Sequence, residues 1–183
     1  LIINSALWYL YLEQEFVYVG DAGIVEPSGE TNRAGVDLGL RYQINDWLFF
    51  NFDANYTYAR SINEPDGENY IPLAADFTST GGFSVQNWNN FSGSLRYRYL
   101  ADRPANEDYS ITAEGYFVTD LNVNYTFRNI IIGASVENLF NTAWNETQFA
   151  TESRLQNEVA SVEEIHFTPG TPFFLKLGVT YKF

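Results

Sequence analysis

A chain of 183 residues is long enough for one domain, 1–183, and its 45% apolar, 17% aromatic and 18% charged residues exclude a disordered chain. A formal charge of −13 argues against a nucleic-acid interface, which needs a basic stripe, and the lack of cysteine removes disulfides, thiolate metal sites and thiol nucleophiles. No apolar run approaches the roughly 18 residues of a membrane helix, so any contact with lipid must be made by strands.

The first predicted strand covers residues 8–18; its alternation is weak, and it carries Glu13 and Glu15 on the polar side. An acidic segment, 20–32, follows. Residues 36–44 then set Val36, Leu38, Leu40 and Tyr42 against Asp37, Gly39 and Arg41, the period of two that marks a strand with one apolar face. After a tight connection at 43–46, residues 48–58 set Phe50, Phe52, Ala54, Tyr56 and Tyr58 against Asn51, Asp53, Asn55 and Thr57. A second acidic segment, 61–76, leads into a weaker strand, 77–85. Its Gly81 and Gly82 lack the lysine and spacing of a phosphate loop and mark a kink or close packing instead.

Beyond a short turn at 86–89, strand 91–99 opposes Phe91, Leu95, Tyr97 and Tyr99 to Ser92, Ser94, Arg96 and Arg98. The acidic segment 101–114 separates it from strand 116–127, in which Phe117, Leu121, Val123, Tyr125 and Phe127 oppose Asp120, Asn122, Asn124 and Thr126. A two-residue turn at 128–129 joins this to strand 130–140, and a long acidic segment, 141–172, leads to the last strand, 173–183. There Phe173, Leu175, Leu177, Val179, Tyr181 and Phe183 share one side, with Lys176, Gly178, Thr180 and Lys182 on the other.

Eight strands result, joined alternately by short turns and long loops, and most of the 23 acidic residues lie in the long loops. The pattern predicts an all-β fold, an antiparallel transmembrane β-barrel of a bacterial outer membrane, with short turns in the periplasm and long acidic loops outside. Trp8, Tyr18, Trp47, Tyr58, Trp88, Tyr99, Tyr116 and Phe140 gather near strand ends, where aromatic girdles meet the lipid interfaces. The polar sides carry Glu13, Glu15, Asp37, Asp53, Asp120 and Glu137 with Arg41, Arg96, Arg98, Lys176 and Lys182. Such a set can pair inside a closed eight-stranded barrel or line a wide, wet lumen.

Several stretches resemble the C-terminal part of the barrel of TonB-dependent receptors. They are Val136-Glu137-Asn138-Leu139-Phe140-Asn141; Trp8-Tyr9-Leu10 with 16–23; Glu152-Ser153-Arg154-Leu155 with Ile165-His166-Phe167-Thr168-Pro169; and the ending Val179-Thr180-Tyr181-Lys182-Phe183. The resemblance implies strands of a 22-stranded barrel, of which 1–183 would be the C-terminal third, lacking the plug domain through which the TonB system acts. It also implies uptake of an external small-molecule nutrient such as an iron chelate or cobalamin, outer-membrane lipid as surroundings, and an assembly signal at Val179, Tyr181 and Phe183 read by the barrel assembly machinery. Residues 1–5 lack a signal-peptide pattern, so further sequence upstream is expected. The alternative from another class is a complete eight-stranded barrel with a structural or adhesive role; a membrane-embedded hydrolase or acyltransferase ranks third.

No pair of carboxylates is spaced as an acid and a base, and the single histidine leaves no serine a triad, so neither an enzyme nor a cofactor is expected. Arg96 and Arg98 are the candidates for contact with an anionic solute or a plug, against the simpler role of balancing Asp120 or Glu137. His166 with Glu163 and Glu164 is an incomplete metal set, and an ordinary loop role is the competing reading.

Overall fold

A computed structural model describes residues 1–19, 24–27 and 29–183. Eight of its strands form one antiparallel meander. These are β1 (Ile2–Leu12), β4 (Thr31–Gln43), β5 (Leu48–Ser61), β6 (Phe77–Trp88), β7 (Phe91–Leu100), β10 (Tyr116–Phe127), β11 (Ile130–Glu137) and β14 (Phe174–Tyr181). Each long connection after β1, β7 and β11 carries its own hairpin: β2 (Phe16–Val19) with β3 (Ile24–Pro27), β8 (Arg103–Pro104) with β9 (Thr112–Ala113), and β12 (Asn145–Ser153) with β13 (Val162–Pro169).

The registers divide the sheet into two faces. Val36, Tyr56 and Phe77 share a face with Leu121, Val136 and Leu175, whereas Asp37, Asn55, Arg96, Asp120, Ser135 and Lys176 lie on the other. Because side chains alternate strictly, one register shift would turn every apolar residue of a strand to the polar side. The apolar face is not buried within the chain: Leu7, Leu177 and Val179 are 84%, 72% and 74% exposed. In water a sheet with such a face would aggregate, whereas hydrocarbon is its natural solvent.

The turns explain why the pairing is so regular. In the β4–β5 connection Asn45 accepts the N–H groups of Trp47 and Leu48 at 3.0 and 2.9 Å, closing a compact turn. Asn89 and Asn90 adopt φ of 49° and 68°, the left-handed pair that a two-residue hairpin needs. Trp47 and Trp88 stack at 5.0 Å beside these turns. On the apolar face Tyr97 lies over Gly81 and shares a 2.8 Å hydrogen bond with Ser79, so its hydroxyl is satisfied without water. A close packing role for Gly81 is thereby confirmed, and Gly82, at φ 150°, takes a conformation few other residues adopt.

Four expectations need correction. The first strand is Ile2–Leu12 and not 8–18, because β4 supplies partners for every residue from Ile2 onward. Pairing ends at Leu12, where Glu15 folds back to accept the Thr31 hydroxyl at 2.7 Å and to pair with Arg33. Residues 16–19 belong to a loop hairpin, and residues 20–23 of the resemblance at 16–23 lie outside the described residues. Secondly, Trp8 is not an interfacial anchor: its ring covers Gly35 on the polar face, where the missing Cβ leaves room for it. Thirdly, Glu13 and Glu15 stand beyond the end of β1 and not on a strand face. Finally, β11 stops at Glu137 and not 140, because Asn138 and Asn141 take φ of 51° and turn the chain out of the sheet.

The sheet does not close. Among the described residues β1 bonds only to β4 and β14 only to β11, so the eight strands form an arc with two free edges and not the complete eight-stranded barrel left open by the sequence. An arc with apolar residues on one side and a polar hollow on the other is a segment of the wall of a larger barrel.

Candidate functional site

The polar face and the loops above it form the surface on which a solute could be handled. At the turn end, Arg41 pairs with Asp53 at 2.8 Å, and its other terminal nitrogen donates to the carbonyls of Leu40 and Phe52. Asn55 donates to Asp37 beside this pair. With Asn4, Thr78 and Thr80 these residues line an open trough of about 450 Å³.

Nearer the loops, Arg98 pairs with Asp120 at 3.4 Å and stands 5.5 Å over the Trp144 ring. The contact is diagonal, since Asp120 lies opposite Arg96 and Arg98 lies opposite Val118. Asp120 also accepts the Asn138 N–H at 3.0 Å. Asn138, 1% exposed, joins both ends of the last loop: its amide donates to the carbonyls of Thr142 at 2.8 Å and Thr171 at 3.0 Å and accepts the Thr142 N–H at 2.8 Å. Trp144 donates to the same Thr171 carbonyl and covers Gly170. An ion pair on the wall is thus linked through one carboxylate to the root of a long loop.

A second junction binds that loop to its neighbour. Gln148 of β12 is 2% exposed, and its amide mimics a strand partner, accepting the Glu114 N–H at 3.0 Å and donating to the Glu114 carbonyl at 2.7 Å. Nearby, Asn106 accepts the Ile111 N–H and donates to Ser110, and it reaches Glu163 of β13 at 3.4 Å. Burial lowers the pKa of the Arg103 guanidinium against the opposing pull of Tyr116 and Asp102. The Ser110 N–H and hydroxyl hold the Asp108 carboxyl below its usual pKa, so that anchor is fully formed above ordinary carboxylate pKa values and is lost as pH falls through the depressed one.

Glu64, Glu68, Glu107, Asp108 and Glu163, with Tyr70 and Asn106, surround a cavity of about 670 Å³ between the loops. Its carboxylates suit a cationic or hydrogen-bond-donating surface, but no group of His, Asp and Glu among the described residues is arranged to hold a metal ion. His166 follows the same rule. It shares a 3.2 Å hydrogen bond with Ser153 and lies 3.9 Å from Glu164, whereas Glu163 reaches Asn106 instead, so alternation along β13 separates the expected set.

Arg96 and Arg98 do share the polar face, but the structure distinguishes them. Arg98 is held by Asp120, while Arg96 is exposed and forms no ion pair among the described residues; Glu137 pairs with neither. Val179 and Tyr181 stand exposed on the apolar side of β14, and the Phe183 ring meets Tyr181 edge-on at 5.4 Å beyond the strand end. Sequence reasoning missed Arg33, Asn106, Trp144 and Gln148 as structural centres. Nothing in the pattern of 145–153 marks Gln148, because polar residues fall on both sides of that strand, inside a segment read as loop.

The family model for the TonB dependent receptor-like β-barrel matches residues 1–139. No curated protein matches the chain. Among solved structures, the siderophore receptor PiuA from Acinetobacter baumannii superposes with a TM-score of 0.71 at 14% identity, over 99% of this chain and 26% of that one. The ferric-catecholate import receptor Fiu from Escherichia coli K12 gives 0.69 at 19% identity, over 98% and 25%. The copper transporter OprC gives 0.66 at 16% identity, over 99% and 29%. The chain therefore spans about a quarter of the length of the solved proteins it matches. With an arc of barrel wall, tight turns at one end and hairpin-bearing loops at the other, this chain belongs to the TonB-dependent receptors and forms part of their β-barrel.

Proposed function

We propose that the chain is the C-terminal part of an outer-membrane receptor that binds an external nutrient, an iron chelate, cobalamin or a similar scarce solute, and admits it with energy delivered by TonB through a plug domain. The observation that carries this reading is the polar hollow bounded by linked loops on a sheet whose other face is apolar and uncovered. The wall is non-enzymatic in this reading. Its short turns face the periplasm and its acidic loops the outside, where they select the solute before it meets the wall. The deciding test is accumulation of labelled ferric catecholate, ferric citrate, copper and cobalamin by cells with and without the intact receptor. TonB-dependent accumulation of one of them is expected; receptor-independent uptake of all four would overturn the proposal.

In the same reading Val179, Tyr181 and Phe183 form the signal recognised by the barrel assembly machinery, and lipid surrounds the apolar face. The Phe183 ring touches Tyr181 but no ladder partner, so its removal should cost the finished barrel little, under about 1 kcal/mol as for other surface changes. Deleting Phe183 is expected to lower outer-membrane levels severalfold while leaving the unfolding temperature of the inserted fraction unchanged. Normal levels would show that the ring is only an interfacial anchor.

A further inference from the structure

The apolar face has a readable upper boundary. On β5 it runs from Leu48 to Tyr58, about ten steps of roughly 3.3 Å, which at the usual strand tilt spans the ~25 Å apolar band of an outer-membrane barrel. Tyr9, Tyr56, Tyr58, Tyr99 and Phe117 mark the loop-side limit of that band, all exposed. Arg60 is in phase with Tyr56 and Tyr58 and therefore rises from the lipid side, one further pair of residues toward the loops, at headgroup depth.

Its setting differs from that of Arg33, Arg41 and Arg98 on the polar face, and from the exposed Arg96, which has no aromatic platform among the described residues. Arg33, Arg41 and Arg98 each have a carboxylate, whereas no carboxylate among the described residues pairs with Arg60. Its guanidinium lies 4.6 Å from the Tyr58 ring and 4.2 Å from the Tyr70 ring, and Tyr109 braces Tyr70 edge-on at 5.2 Å. One nitrogen donates to the Ala59 carbonyl at 2.7 Å, and the other donors are left for a ligand. Two aromatic faces thus hold a half-buried fork in one orientation, and a planar fork matches phosphate oxygens.

We propose that Arg60, on its Tyr58 and Tyr70 platform, binds the phosphate of a phosphorylated glycolipid in the outer leaflet. The proposal rests on the outer-membrane receptor reading. Lipid is the source, and not free phosphate, because the fork stands on the lipid side at headgroup depth, where acyl chains seated on the apolar face anchor a lipid phosphate beside it. Free phosphate has no such anchorage to offset the repulsion of Glu64, Glu68 and Glu107 beside Tyr70. The nutrient is handled on the opposite face of the wall.

The test uses the intact receptor in nanodiscs, with retention of diphosphoryl lipid A read by native mass spectrometry. Arg60→Gln should retain it roughly tenfold less than the native receptor, and Arg60→Lys an intermediate amount, as loss of a charge-assisted hydrogen bond predicts. Native receptor should retain fully dephosphorylated lipid A no better than Arg60→Gln retains the phosphorylated form. Equal retention by native and Arg60→Gln, or displacement of the lipid by millimolar inorganic phosphate, would overturn the proposal. Folding is checked by the mobility of unboiled samples on gels, and the dephosphorylated-lipid arm needs no variant. Failure of the intact receptor to reach the outer-membrane fraction would instead defeat the underlying reading.

Discussion

Asn138→Leu in the intact receptor is expected to destabilise the root of the last loop by roughly 3–5 kcal/mol, the sum of buried groups left unpaired and a strained backbone. The buried amide serves three backbone groups: the Thr142 and Thr171 carbonyls and the Thr142 N–H. Leucine fills a similar volume but offers none of these bonds, and it disfavours the φ of 51° that turns β11 into the loop. Two further variants separate the causes. Asn138→Gly tolerates the angle and loses only the amide, so it should cost less than leucine. Asn138→Asp keeps the acceptor for Thr142 N–H but sets a carboxylate against two carbonyls, so it should cost nearly as much as leucine. Hydrogen exchange across 138–173 measures all three, and native-like protection in Asn138→Leu would refute the assignment.

The effect should spread to the wall, because Asp120 accepts the Asn138 N–H while pairing with Arg98. If the loop root loosens, Asp120 loses one of its two partners, and Arg98 becomes freer to leave the Trp144 ring. That chain of contacts gives the loop a physical route to the hollow. The route is short: one carboxylate separates an amide at the loop root from a cation on the strand.

Alternation carried most of the fold. Wherever apolar and polar residues exchange without interruption, as in 36–42 and 116–127, strand, face and partner follow from the period of two, because slipping one residue would put a charge in hydrocarbon. Resemblance added what alternation lacks, namely that an eight-stranded arc belongs to a larger wall. The failures have local causes. Trp8 was placed on the wrong side because its position depends on the space over Gly35, a feature of the neighbouring strand. Arg96 and Arg98 are equivalent by period, and only the diagonal offset between β7 and β10 gives Asp120 to Arg98. The loop hairpins were hidden because a solvated strand carries charges on both sides, as Glu152, Glu163 and Glu164 do, and reads like a loop.

Gln148→Leu should loosen the junction between two loops, leaving the longer Asn106–Glu163 contact as their remaining link. The side chain lies beside the end of β9, where the N–H and carbonyl of Glu114 both meet the Gln148 amide and the carbonyl also takes a 3.5 Å bond from Arg103 of β8. Leucine removes both bonds while leaving the volume filled, so the N–H of Glu114 loses its partner and its carbonyl keeps only the long 3.5 Å bond from Arg103, at about 2 kcal/mol. Exchange of the Glu114 amide is then expected to quicken roughly thirtyfold. Gln148→Glu keeps an acceptor for the N–H but opposes a carboxylate to the Glu114 carbonyl, so it should open the junction as well, whereas Gln148→Asn falls short of both groups. The strands should not respond: β10 and β11 pair through Leu121–Val136 and their neighbours, none of which touches this junction. Fast exchange at Glu114 with unchanged protection of Val123 and Ala134 is therefore the expected signature. If the whole sheet lost protection together, Gln148 would be part of the wall's stability and not a clasp between loops. On the proposed receptor function, a solute that contacts both loops should bind the leucine variant more weakly, because it must first restore the arrangement Gln148 holds in advance.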